Sequence, residues 1–96
     1  MDEAMDRSTV FVKNHDAVYR IYDGEAVVVL PGEAGEAAER RHLNQIGTLV
    51  WDRIDGRTTL GDLIEAVVQE YEVTPEEAER DILEFIASLR EQKMVR

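Results

Sequence analysis

The sequence predicts an α+β fold, with a three-stranded antiparallel β ribbon packed on three α-helices. Three observations carry this. Two β-rich runs flank Asp23-Gly24 in AVYRIYDGEAVVVLP. Three amphipathic stretches with helix-cap residues follow from position 43 onward. A chain of 96 residues has room for one such unit and one small core. Neither a ribbon nor a set of short helices can bury its apolar side alone, so the two should pack together.

The elements follow in order. Residues 1–8 are polar and expected to fray, leaving 9–96 as a single domain. TVFVK, residues 9–13, reads as a short edge strand. Asp23-Gly24 is a two-residue loop of the kind that favours a type I′ hairpin turn, and Pro31 ends the second strand. GEAGEAAE, residues 32–39, reads as a flexible connection, although its Ala and Glu also tolerate a helical turn. ERRHL, residues 39–43, is expected as a third short strand on poor intrinsic propensity.

The first helix is expected from about Asn44 to Ile54, with Asn44 as N-cap and Gly56 as the stop. Its stripe is Leu43, Ile46, Val50 and Ile54, and Trp51 should close it onto the sheet. The second helix starts at Thr59, with Asp62 completing a weak capping box. Leu60, Leu63, Ile64, Val67, Val68 and Tyr71 share one of its faces. Thr74-Pro75-Glu76-Glu77 is a strong start for the third, whose buried stripe is Ala78, Ile82, Phe85, Ile86 and Leu89. A tight turn around Glu72-Val73 joins helices two and three, and Met94 and Val95 should pack at the end. A strand ribbon beside three such helices is a winged helix-turn-helix.

Composition excludes several functions. With 21 acidic and 11 basic residues the formal net charge is −10. That disfavours nucleic acid and anionic membrane surfaces, which are bound through Lys and Arg. There are no cysteines, hence no disulfides, thiolate chemistry or Cys-based zinc site. The longest apolar run, AVVVLP, is far short of the roughly 20 residues that a membrane span needs. The acidic N-terminus has no signal-peptide pattern, and a cytoplasmic location is expected.

Catalytic signals are weak. His15 and His42 stand apart, neither with ligands at metal spacing. Ser8 and Ser88 lack a nucleophile-elbow context. The carboxylates of PEEAERD fit a solvated helix face better than acid–base work. DGEAVV and PGEAG lack the spacing and the Lys of a phosphate loop. The expectation is a non-enzyme without cofactor or metal.

A helix-turn-helix raises DNA binding, but residues 75–93 carry six acidic side chains against three basic. Such a helix repels a phosphate backbone. The same geometry suits peptide capture, in which an extended segment adds as a strand to an exposed sheet edge. The only dense basic spot is Arg40-Arg41-His42, on the proposed third strand. Arg40 and His42 would point to one face and Arg41 to the other. The cluster either steers an acidic peptide, or protects an exposed edge and pairs with nearby glutamates.

Residues 43–95 resemble the PqqD-like family, the RiPP recognition elements. The matching positions are Leu43-Asn44, Gly47, Trp51, Asp55-Gly56, Thr59, Asp81, Phe85-Ile86 and Leu89. The resemblance implies a winged helix-turn-helix that binds the leader segment of a ribosomally made precursor peptide. The leader would add to the third strand and rest against the third helix. The complex would then present the core segment to a modifying enzyme such as a radical SAM enzyme, a cyclase or a leader peptidase. By position, the strand wall is Arg40, Arg41, His42 and Leu43, and the helix wall Ala78, Asp81, Ile82 and Phe85. AAERRH replaces the aromatic or glycine-rich third strand common in the family. LPGEAGE replaces the Pro-Glu-Gly stretch usual in pyrroloquinoline quinone synthesis, so a different peptide product stays open. The exposed edge strand also allows a homodimer. An acidic winged-helix transcription regulator or protein-interaction module is the second reading.

Overall fold

The computed structural model describes residues 6–32 and 38–96. It contains β1 (Val18–Tyr22), β2 (Glu25–Leu30), β3 (Glu39–His42), α1 (Gln45–Arg53), α2 (Leu60–Glu70) and α3 (Pro75–Glu91). The sheet is antiparallel in the order β1-β2-β3, and among the described residues no further strand pairs with either outer edge. The arrangement is the α+β winged helix-turn-helix that the sequence predicts. Most of the connection expected over residues 32–39 lies outside the described residues.

Local chemistry explains most elements. Tyr22 pairs with Glu25 across the two-residue loop, and Asp23 and Gly24 both have positive φ (53° and 80°). This is the type I′ geometry, whose twist matches that of the flanking strands. The Asn44 side chain accepts from the Gly47 N–H at 2.7 Å and caps α1. Thr59 with Asp62, and Thr74 with Glu77, form complete capping boxes at α2 and α3. Each cap is worth about 1 kcal/mol.

The core lies between the inner side of β2 and the three helices. Ala26 and Val28 meet Leu43, Val50, Trp51 and Ile54, with α2 and α3 closing the far side. Trp51 is fully buried, and Tyr19 of β1 packs on its ring edge-to-face at 5.7 Å. Lys13 Nζ sits 4.9 Å from both rings. Burial pulls this ammonium below its ordinary value, opposed by Asp52 and Asp55. The buried Thr48 hydroxyl accepts from the Ala26 N–H at 2.8 Å and joins α1 to β2, a bond that sequence pattern does not announce.

One expectation is corrected. TVFVK is no edge strand of the sheet. Val10 bridges Thr59 and Lys13 bridges Val95, each in isolation. The carbonyls of Thr9, Phe11 and Val12 accept from Leu60, Gly56 and Arg96 in turn. Phe11 is buried, so this segment serves as a strap across the α1–α2 turn and the C-terminus. Just before it, Arg7 pairs with Glu79 at 2.8 Å, and its carbonyl accepts from the Gly61 N–H.

Candidate functional site: a sheet edge beside a helix groove

β3 is short and charged, and its open edge follows from the hairpin. In an antiparallel pair, residues alternate between turning their peptide groups toward and away from the neighbour. Tyr22 and Glu25 close the hairpin, so Ala26, Val28 and Leu30 turn theirs toward β3. The Leu43 N–H accordingly donates to the Ala26 carbonyl at 2.8 Å. The register aligns Arg41 with Val28 and Glu39 with Leu30. The N–H and C=O groups of Arg40 and His42 are therefore the ones that face the open edge.

The side chains divide by the same alternation. Arg40 and His42 lie on the outer face, where His42 Nε2 meets Glu25 Oε1 at 3.0 Å. Arg41 lies on the inner face with the buried Val28. Its Nη1 donates to Ser88 Oγ and to Gln92 Oε1, both at 2.9 Å. Its guanidinium carbon stands 5.6 Å from the Phe85 ring centre. Among the described residues no carboxylate forms an ion pair with Arg40 or Arg41.

Between β3, α1 and α3 lies a half-open groove of about 370 Å³. Arg41 stands at its strand side, and Asp81, Phe85 and Ser88 form the α3 wall. Ile46 and Gly47 form the α1 wall, with Ala78 and Ile82 in the floor. Phe85 is half-buried, whereas Ala78, Ile82 and Leu43 are core residues. Gly47 lets the Phe85 ring approach: a Cβ there would stand 3.3 Å from two ring atoms and 3.2 Å from Asn44 Oδ1.

The structure thus brings Arg41, Ala78, Asp81, Ile82 and Phe85 to one groove. It sets Arg40 and His42 on the other face of the strand, and it buries the Leu43 side chain. Sequence reading missed Ile46, Val73, Glu84 and Ser88 as groove residues. From the sequence Ile46 reads only as part of the apolar stripe of α1, and in the structure it stays half-buried at the groove. Among the described residues no group of three His, Asp or Glu side chains is placed to hold a metal ion. No helix among them is long and apolar enough to cross a membrane.

The fold and the groove define a winged helix-turn-helix with an open strand beside its third helix. The family model described as coenzyme PQQ synthesis protein D (PqqD) matches residues 26–95, and the chain belongs to that family. That span includes β2 from Ala26 onward and all of β3, upstream of the stretch that carries the sequence resemblance. Two solved structures are similar. One is described as TbiB1 in complex with the TbiA(beta) leader peptide, with TM-score 0.77, 20% identity, and coverage of 88% of this chain and 94% of that one. The other is a lasso peptide synthetase B1 complexed with the leader peptide, with TM-score 0.71, 27% identity, and coverage of 92% and 99%. Comparison with curated proteins gives no match.

Proposed function

We propose that this protein is a non-catalytic adaptor in the cytoplasm that captures the leader segment of a ribosomally made precursor peptide. The leader adds as a fourth strand on β3 and lays its inward side chains into the groove against α3. The observation that carries this reading is the open edge at Arg40 and His42, directly beside an apolar groove that exposes part of Phe85. Backbone hydrogen bonds supply affinity and the groove supplies selection. Both similar structures are described as leader-peptide complexes. Ordering a disordered leader costs about 2–5 kcal/mol, so a few inward anchors must offset it.

The adaptor then presents the core segment to a modifying enzyme, a radical SAM enzyme, a cyclase or a leader peptidase. Pairing of two copies through an open edge is compatible with the same geometry, and sedimentation reads it directly. The acidic excess on α3 argues against the regulator reading.

Titration of the 15N-labelled protein with leader segments from neighbouring short peptide genes tests the proposal. The expected result is amide shifts confined to residues 38–43 and 76–90. A folded spectrum unmoved by every such peptide, but shifted by duplex DNA, would replace the adaptor with the regulator.

A further inference from the structure

We infer that Arg41 is a receptor for a carboxylate on the bound peptide, so that the groove selects an acidic residue two positions from a large apolar one. This rests on the strand-addition reading and adds a register to it.

Arg41 is half-buried in a chain of net charge −10, yet among the described residues it has no acidic partner. Its bonded neighbours are neutral: Ser88 Oγ and Gln92 Oε1, both reached by Nη1. The Ser88 hydroxyl is itself fixed by donating to the Phe85 carbonyl at 2.8 Å. A guanidinium offers five N–H donors in a planar fork. With Nη1 tied to α3 and the plane near Phe85, the Nε–Nη2 side has no hydrogen-bond partner among the described residues. That side matches a carboxylate in the bidentate manner. The fork is held in place before any ligand arrives, which lowers the ordering cost.

Strand alternation supplies the register. An added strand bonds to Arg40 and His42, so its residue opposite Arg41 points inward. The next inward residue, two positions along, lies opposite Leu43. There it meets the apolar part of the groove, where Gly47 and Ile46 face Phe85. Farther along α3, Asp81 and Glu84 line the groove and repel a second acid. On the other side Glu39, which lies near the Gln92 amide, does the same. One acid is therefore favoured at one place, and the spacing holds for either direction of the added strand.

A random peptide library displayed on phage, panned against the wild-type protein and against Arg41→Gln and Arg41→Lys, tests this. Circular dichroism checks that each variant is folded. The wild type should select peptides with Asp or Glu two positions from a large apolar residue. Replacing that acid by its amide in a synthetic copy should weaken binding about tenfold, as expected for a charge-assisted bond. Arg41→Gln should keep the apolar preference and bind acid and amide forms alike, and Arg41→Lys should fall between. Selection without an acid at that spacing overturns the inference and leaves peptide capture standing. So does an acid preference that persists in Arg41→Gln. If the folded wild type selects no peptide at all, peptide capture itself falls and the inference falls with it.

Discussion

β1 and β3 both end the sheet, but they are built differently. β1 carries Val18, Tyr19, Ile21 and Tyr22 and follows its own turn chemistry into β2. β3 carries Glu39, Arg40, Arg41 and His42, poor strand formers. All of β1 is exposed, with Val18, Ile21 and Tyr22 each more than half exposed. Beyond its pairing with β2, it meets the buried Trp51 through Tyr19, with Lys13 beside both rings. β3 is held from outside, by the Leu43 bond to Ala26 and by the reach of Arg41 to α3. A strand with strong propensity needs few distant contacts. A strand assembled by its surroundings leaves its own side chains and peptide edge available for a ligand.

Four experiments break or sharpen this contrast. The largest effect is expected at the β1 anchor. Trp51→Ala should cost about 3–5 kcal/mol in chemical denaturation, as for other large buried aromatics. Trp51→Phe should cost far less, because Trp51 Nε1 is buried without a partner among the described residues. Next comes the groove beside β3. Gly47→Val should push on the Phe85 ring, costing about 2 kcal/mol of stability, and should also weaken leader binding in a calorimetric titration. A stable Gly47→Val protein with unchanged binding would detach Phe85 from the site.

A smaller change is expected on the outer face of β3. Arg40→Glu should weaken binding of an acidic leader roughly threefold and flatten its salt dependence, since exposed charges contribute little and are screened. Equal salt slopes for the variant and the wild type would remove steering by Arg40. The smallest effect is expected away from both edges, at Asp55. Its carboxylate accepts from the N–H groups of Thr58 and Arg57 and lies below its ordinary 3.8. The folded chain binds that proton less tightly than the unfolded one does. Its contribution is therefore present at neutral pH and is lost as pH falls through the folded value. Acid unfolding of Asp55→Asn should show a slightly shallower loss below the ordinary value, with binding unchanged.

The contrast also explains what the sequence could reveal. Asp23-Gly24, Asn44, Thr59-Asp62 and Thr74-Pro75-Glu77 act on backbone groups a few residues away. The hairpin and the three helix starts could therefore be read directly. TVFVK misled because its β-branched and aromatic residues are those of a strand, while its partners are Gly56, Leu60 and Arg96. The basic cluster could be seen, and alternation correctly sent Arg41 to the face opposite Arg40 and His42. Its partners Ser88 and Gln92 lie 47 and 51 residues away, beyond any local pattern.

The strap formed by residues 9–14 has a consequence for how the molecule opens. The Asn14 N–H donates to the Met94 carbonyl, the Asn14 side chain to the Lys93 carbonyl, and the Arg96 N–H to the Val12 carbonyl. The polypeptide is thereby closed into a ring by non-covalent bonds. Unzipping from one terminus strips partners from the other, so the amides of Asn14 and Arg96 should lose hydrogen-exchange protection together. The strap and the segment after α3 then open together rather than one before the other.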